Sequence, residues 1–189
     1  EEWAAEQSDD PIHLSWQPDA MCMLRGTGGT TGRPKGVMNT NRNFETTIAN
    51  YMAVMRFDGP PVYLACAPLS HAATVFGFIN IALAGTMVIH RGFDALATCA
   101  AIEKHRVSFA YLPPTAMYKM LSHPKVRDFD YTSLRHFMYG AAPASAAKLR
   151  EAIEVFGPVM TQGYGQTEVP TSVTYMSPED HLDSQGNID

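Results

Sequence analysis

Short apolar runs alternate with segments whose apolar residues recur every three or four positions, and the alternation persists along most of the chain. The run "AMCMLR" at 20–25 predicts a short strand that feeds a glycine-rich loop. Asn43 to Phe57 predicts a helix with Phe44, Ile48, Tyr51, Met52 and Met55 on one face. "VYLACAP" is a buried strand, followed by an apolar helix from Ala72 to Ala84 and a strand "TMVIH". A helix from Asp94 to His105 is expected to turn Leu96, Ala97, Ala100 and Ala101 inward. After the strand "VSFAYL", the segment "PPTAMYKML" carries proline where a first helical turn accepts it. "RHFMYG" is the next strand, Ser145 the N-cap of "AAKLREAIEVF", and Gly157-Pro158 its stop. "VMTQGYG" is the last clear strand before a polar tail.

Strands alternating with helices of this length predict an α/β fold, a mostly parallel sheet with helices on both faces. The chain of 189 residues suits a single α/β unit or a piece of a larger domain. In such sheets ligands gather beyond the carboxyl ends of the strands. Four polar or glycine-bearing segments fall there: "GTGGTTGRPKGV" (26–37), "PLSHAA" (68–73), "YGAAPAS" (139–145) and "GYGQTE" (163–168). They are expected to share one crevice.

Composition narrows the partners. A net charge of -5 argues against an extended nucleic-acid surface. From Gly59 to Ile89 there is no Asp, Glu, Lys or Arg, but Gly77, Asn80 and Gly85 interrupt the run. It reads as a buried helix, a glycine stop and a buried strand, with no membrane span. The three cysteines, Cys22, Cys66 and Cys99, are widely spaced with no CxxC pair. They read as small buried hydrophobes in a reducing, cytoplasmic setting.

The glycine loop is not a Walker A loop, because Pro34 precedes Lys35 and Gly36 follows it. Backbone N–H groups with the hydroxyls of Thr27, Thr30 and Thr31 make a phosphate cradle to which Lys35 adds a cation; a flexible linker is the bland alternative. Glu168 is the only carboxylate in these segments, and reads either as a solvated surface residue or as a Mg²⁺ ligand beside phosphate oxygens. Tyr164 offers a ring face to a base or sits in the core. His71 is a general base, a pocket wall or a core histidine.

"TGGTTGRPKGV" resembles the signature loop of the adenylate-forming superfamily, which holds acyl- and aryl-CoA synthetases, luciferases and peptide-synthetase adenylation domains. "PLSHAA", "YGAAPAS" and "GYGQTE" resemble its following motifs, in order, so the likeness covers Asp19 to Pro170. The resemblance implies a ligase that joins a carboxylic acid to ATP as an acyl-adenylate and then passes the acyl group to coenzyme A. On the matching positions, Thr27, Gly28, Gly29, Thr30, Thr31, Gly32 and Lys35 would embrace the β- and γ-phosphates. Gly140, Ala141 and Ala142 would run along the adenine and Tyr164 would pack on it. Thr167 would contact the α-phosphate, Glu168 would hold Mg²⁺, and His71 and Gly163 would border the acid. Lys35, Thr167 and Glu168 would be the catalytic set.

Gly28 stands for the usual serine, Gly26 for a common tyrosine, and "GAAP" for a frequent GGAP, which reads as a mild change. The ribose-binding aspartate and the C-terminal domain with its catalytic lysine are not in the sequence. The expectation is therefore a central fragment of the large ATP- and acid-binding N-terminal domain, inactive alone. "PLSHAA" lacks the aspartate with which amino-acid adenylation domains pair an α-amino group. That favours a fatty or aryl acid and CoA as acceptor, hence a place in fatty acid metabolism. A fatty-acyl-AMP ligase is the second reading, luciferase-type oxidation a distant third, and a non-catalytic nucleotide-binding module the reading of a different class.

Overall fold

The computed structural model describes residues 6–8, 10, 15–27, 32, 35–170 and 173–185. Strand β1 (Met21–Thr27) pairs antiparallel with β2 (Lys35–Thr40), setting Thr27 opposite Lys35, Arg25 opposite Val37 and Met23 opposite Asn39. The sequence reading did not anticipate β2, whose six residues begin with a lysine and a glycine. Thr40 closes the strand and caps helix α1 (Asn41–Val54). Its hydroxyl accepts from the Asn43 N–H while the Asn43 side chain accepts from the Thr40 N–H, a capping box that turns strand directly into helix. Phe44, Tyr51 and Met55 are buried as the periodicity predicts, Thr47 joins them, and Met52 is instead exposed.

The main sheet has the order β4-β3-β5-β6-β7-β8. Strands β3 (Val62–Ala65), β4 (Thr86–Ile89), β5 (Phe109–Leu112), β6 (His136–Gly140) and β7 (Met160–Tyr164) are parallel. β8 (Thr174–Met176), within the expected polar tail, adds an antiparallel edge. Between them run α2 (Ala73–Ala82), α3 (Ala95–His105), α4 (Pro114–Leu121) and α5 (Ala146–Phe156). The chain steps from β3 outward to β4, then back past β3 to β5 and onward. Right-handed crossovers in opposite directions put their helices on opposite faces of the sheet.

The core follows that rule. Tyr63, Ala65, Phe109, Tyr111 and Met138 face α1 and α2, while Leu64, Ala110, Leu112, Phe137 and Tyr139 face α3, α4 and α5. Alternate residues of one strand thus serve two cores, which is why these strands read as continuous apolar runs. Phe137 and Phe156 stack with ring centroids 4.9 Å apart on one side, and Tyr63 and Phe109 at 4.8 Å on the other.

Two expectations are corrected. In α3 the buried residues are Thr98, Cys99, Ala101 and Ile102, whereas Leu96 and Ala97 are exposed. The Asp94 carboxylate accepts from the Ala97 N–H at 2.8 Å and the Thr98 hydroxyl donates to the Asp94 carbonyl at 2.6 Å, so the cap holds Ala97 at the outer edge of the first turn. Cys22 is exposed, because it shares the outward face of β1 with Leu24; Cys66 and Cys99 are buried as expected. Burial pushes both thiols up, Cys66 to about 11, so they stay protonated. Ser145 does occupy the N-cap of α5, but its hydroxyl makes no capping bond and its N–H donates to the Tyr118 hydroxyl at 2.7 Å. Among the described residues no helix is long and apolar enough to cross a membrane.

One buried histidine carries a pH prediction. His136 Nε2 donates to the Arg56 carbonyl at 3.0 Å, and its Nδ1 lies 3.1 Å from Thr161 Oγ1. Burial holds its pKa below the usual 6.5, outweighing the opposing pull of the Arg56 carbonyl and the Glu179 charge. The unfolded chain therefore binds the extra proton first, so stability is kept above the unfolded pKa and lost as pH falls through the folded one. The urea midpoint should drop between about pH 7 and about pH 5, and the drop should shrink in His136→Gln.

Candidate active site

The reversal of strand order lies between β3 and β5, and a crevice of about 530 Å³ opens there at the carboxyl ends of the strands. The loop after β3 supplies Ser70, His71 and Ala72; β5 supplies Tyr111; the turn after β6 supplies Ala141; and β7 with its following loop supplies Gly163, Gly165, Gln166 and Thr167. The fourth side is the β1–β2 hairpin, through Met23, Leu24, Arg25 and Gly26. Each of the four segments expected to meet sends at least one described residue to the crevice, the glycine loop sending Gly26. The glycine loop, however, connects the strands of a separate antiparallel hairpin and follows no strand of the parallel sheet.

A hydrogen bond ties hairpin to sheet: Asn39 on β2 donates through Nδ2 to the Thr167 carbonyl at 3.3 Å. Asn39 is 1% exposed, and its Oδ1 has no partner among the described residues. Met23 packs into the core beneath. Beside it the Arg25 guanidinium lies over the Phe44 ring at 5.5 Å, and burial pulls its pKa below the usual arginine range. Sequence reasoning passed over both residues. Asn39 was hidden with its unpredicted strand, whereas Arg25 was visible as the lone cation ending an apolar run.

Of the residues singled out from sequence, His71, Ala141, Gly163 and Thr167 line the crevice. His71 is exposed, which removes the core-histidine reading, and its Nδ1 lies 2.8 Å from Ser70 Oγ. Gly140 is buried and paired with Gly163 across β6–β7; Ala142 is exposed just beyond. Tyr164 is half exposed, with its hydroxyl accepting from Gln166 Nε2 at 3.0 Å. Glu168 is exposed and enters no ion pair with a described residue. Thr27 Oγ1 donates to the Lys35 carbonyl at 3.4 Å across the hairpin, and the Lys35 and Gly32 positions are exposed. Gly28, Gly29, Thr30 and Thr31 lie outside the described residues. Phe76 and Tyr111, with rings 4.8 Å apart, are both core and crevice wall, whereas Phe78 packs edge-on against Phe44 outside the crevice.

The GAAP turn is less mild than its sequence suggests. Ala141 adopts φ 66°, the left-handed region that glycine enters freely and an L side chain enters at a cost. Ala141→Gly should therefore raise stability by about 0.5–1 kcal/mol, the relief being partly offset by glycine's extra freedom in the unfolded chain. A urea titration that showed Ala141→Gly destabilised would contradict the strain.

The family described as AMP-binding enzyme matches residues 1–188. A medium/long-chain-fatty-acid–CoA ligase, FadD8 of Mycobacterium tuberculosis, is 37% identical over 179 residues, covering 94% of this chain and 31% of its own. A feruloyl-CoA synthase of an Amycolatopsis species is 34% identical over 168 residues, 87% of this chain and 34% of its own. Among solved structures, the amide bond synthetase McbA from Marinactinospora thermotolerans superposes with a TM-score of 0.83 at 27% identity, over 96% of this chain and 40% of that one. The chain spans about a third of the length of the curated relatives it matches.

Proposed function

Because the chain belongs to the AMP-binding enzyme family, we propose that the protein carrying it activates a carboxylic acid with ATP and passes the acyl group to coenzyme A. The observation that supports this most is the convergence of four segments on one crevice, latched by the Asn39–Thr167 hydrogen bond. An oxygen of the acid attacks the α-phosphorus, pyrophosphate leaves, and the thiol of coenzyme A then displaces AMP from the acyl carbonyl.

In this reading the residues align two anions and stabilise charge; they form no covalent bond themselves. Thr27, Gly28, Gly29, Thr30, Thr31, Gly32 and Lys35 hold the β- and γ-phosphates through hydroxyls, backbone N–H groups and one cation. Thr167 donates to the α-phosphate, and the latch from Asn39 fixes its peptide. Gly140, Ala141 and Ala142 run along the adenine, and the half-exposed Tyr164 ring supplies a stacking face. His71 and Gly163 flank the acid. The close approach of Gly140 to the Gly163 carbonyl, where a Cβ would come within 2.5 Å, fits a site that needs bare backbone on that wall.

Mg²⁺ is tested by the donor set. No group of three or more metal-ligating side chains occurs among the described residues, and Glu168 is one exposed carboxylate. That suits a cation bound chiefly by phosphate oxygens and water, with Glu168 as its protein ligand. When bound, it would neutralise charge on the departing pyrophosphate. Among the described residues no Asp or Glu lines the crevice, which supports an acid lacking an α-ammonium group. The acceptor rests on the relatives: FadD8 and the feruloyl enzyme are named for coenzyme A.

The test is acid-dependent ATP–pyrophosphate exchange by the longest natural chain containing residues 1–189, followed by thioester detection with coenzyme A. Exchange with fatty or aryl acids and a thioester product is expected. Exchange without thioester would favour the fatty-acyl-AMP ligase reading. ATP binding without exchange would favour the nucleotide-binding module.

A further inference from the structure

Resting on that reading, we propose that Arg25 recognises a second oxyanion on the acid, so that the preferred substrates are dicarboxylic or similarly dianionic acids. Arg25 lines the crevice from the inward face of β1. Its Nε donates to Met23 Sδ at 2.9 Å, its Cζ lies 5.5 Å from the centre of the Phe44 ring, and its Nη2 is buried without a hydrogen-bond partner among the described residues. The five ion pairs among the described residues all use other cations. Among the described residues no Asp or Glu stands in the crevice wall to neutralise it. A half-buried cation with an idle N–H is unfavourable alone, and a planar guanidinium fork is shaped to take a carboxylate.

The reacting carboxylate is the wrong anion for this fork. It loses its charge when it becomes the mixed anhydride with AMP, so a pair made with it would stabilise the ground state and blunt the attacking oxygen. A second oxyanion keeps its charge in acid, adenylate and thioester, and the pair serves all three. Met23, Phe76 and Tyr111 in the same wall give the carbon skeleton between the two anions an apolar bed.

The experiment compares matched acids on the longest natural chain: octanoate with suberate, and cinnamate with 4-carboxycinnamate. For wild type, kcat/KM in ATP–pyrophosphate exchange should favour each diacid by about tenfold or more, carried by KM. In Arg25→Met that ratio should fall to one or below, and Arg25→Lys should restore part of it. Suberate should raise the melting temperature of wild type and not that of Arg25→Met. An unchanged ratio in Arg25→Met overturns the proposal. So does an equal loss of melting temperature in Asn39→Leu and Arg25→Met with no change of ratio, which would mean that the idle N–H pairs with the unpartnered Asn39 Oδ1. If monoacids and diacids alike failed to support exchange, the activity reading would fall, and the suberate melting shift alone would decide on Arg25.

Discussion

Glu168→Gln should lower acid-dependent ATP–pyrophosphate exchange about a hundredfold, or about 2.7 kcal/mol of transition-state stabilisation, at fixed Mg²⁺. The substitution keeps shape and removes charge. Glu168 is exposed and joins no ion pair with a described residue, so folding has little to lose. Any loss of exchange then belongs to the chemistry. If the carboxylate is the protein's hold on the cation, the apparent Mg²⁺ requirement should rise in the variant, and higher Mg²⁺ should recover part of the rate. Wild-type exchange in Glu168→Gln at ordinary Mg²⁺ would place the cation elsewhere and return Glu168 to the solvated surface.

The parallel sheet was legible because buried strands are short apolar runs and the helices between them have a 3.6-residue period. What escaped was whatever tertiary packing decides. β2 is six residues, and it is held by its register with β1 more than by its own pattern. β8 is a three-residue edge whose pairing to β7 no local signal announces. The phase of α3 slipped because the cap at Asp94 sets it, and four alanines leave the apolar face poorly marked. The site shows the same division. Residues of recognisable chemistry or motif position could be picked out, and four of them, His71, Ala141, Gly163 and Thr167, line the crevice. Arg25 was visible only as a cation ending an apolar run and Asn39 not at all, since their interest lies in polar atoms buried without partners, a property of the packed structure. The strain at Ala141 was equally invisible, because a one-methyl difference from glycine reads as small until the backbone angle is known.

The other large effect belongs to Gly140. Gly140→Ala should destabilise the fold by about 3 kcal/mol or more and abolish exchange together. No left-handed angle is involved at Gly140; the constraint is space. A Cβ there would lie 2.5 Å from the Gly163 carbonyl oxygen, far inside any contact a real Cβ makes. That oxygen is backbone in the strand paired with Gly140, so no side chain can swing away and β6 must part from β7. Parting them moves the Gly163–Thr167 segment, and with it the carbonyl that Asn39 grips at 3.3 Å. Stability and activity are thus predicted to fail at the same residue for the same reason. Gly59→Ala is the control, since a Cβ at Gly59 meets nothing within 4 Å. Its urea midpoint and exchange rate should match wild type. A Gly140→Ala protein that matched them too would mean that β6 and β7 have slack at this pair, and the bare-backbone wall beside the adenine would lose its physical basis.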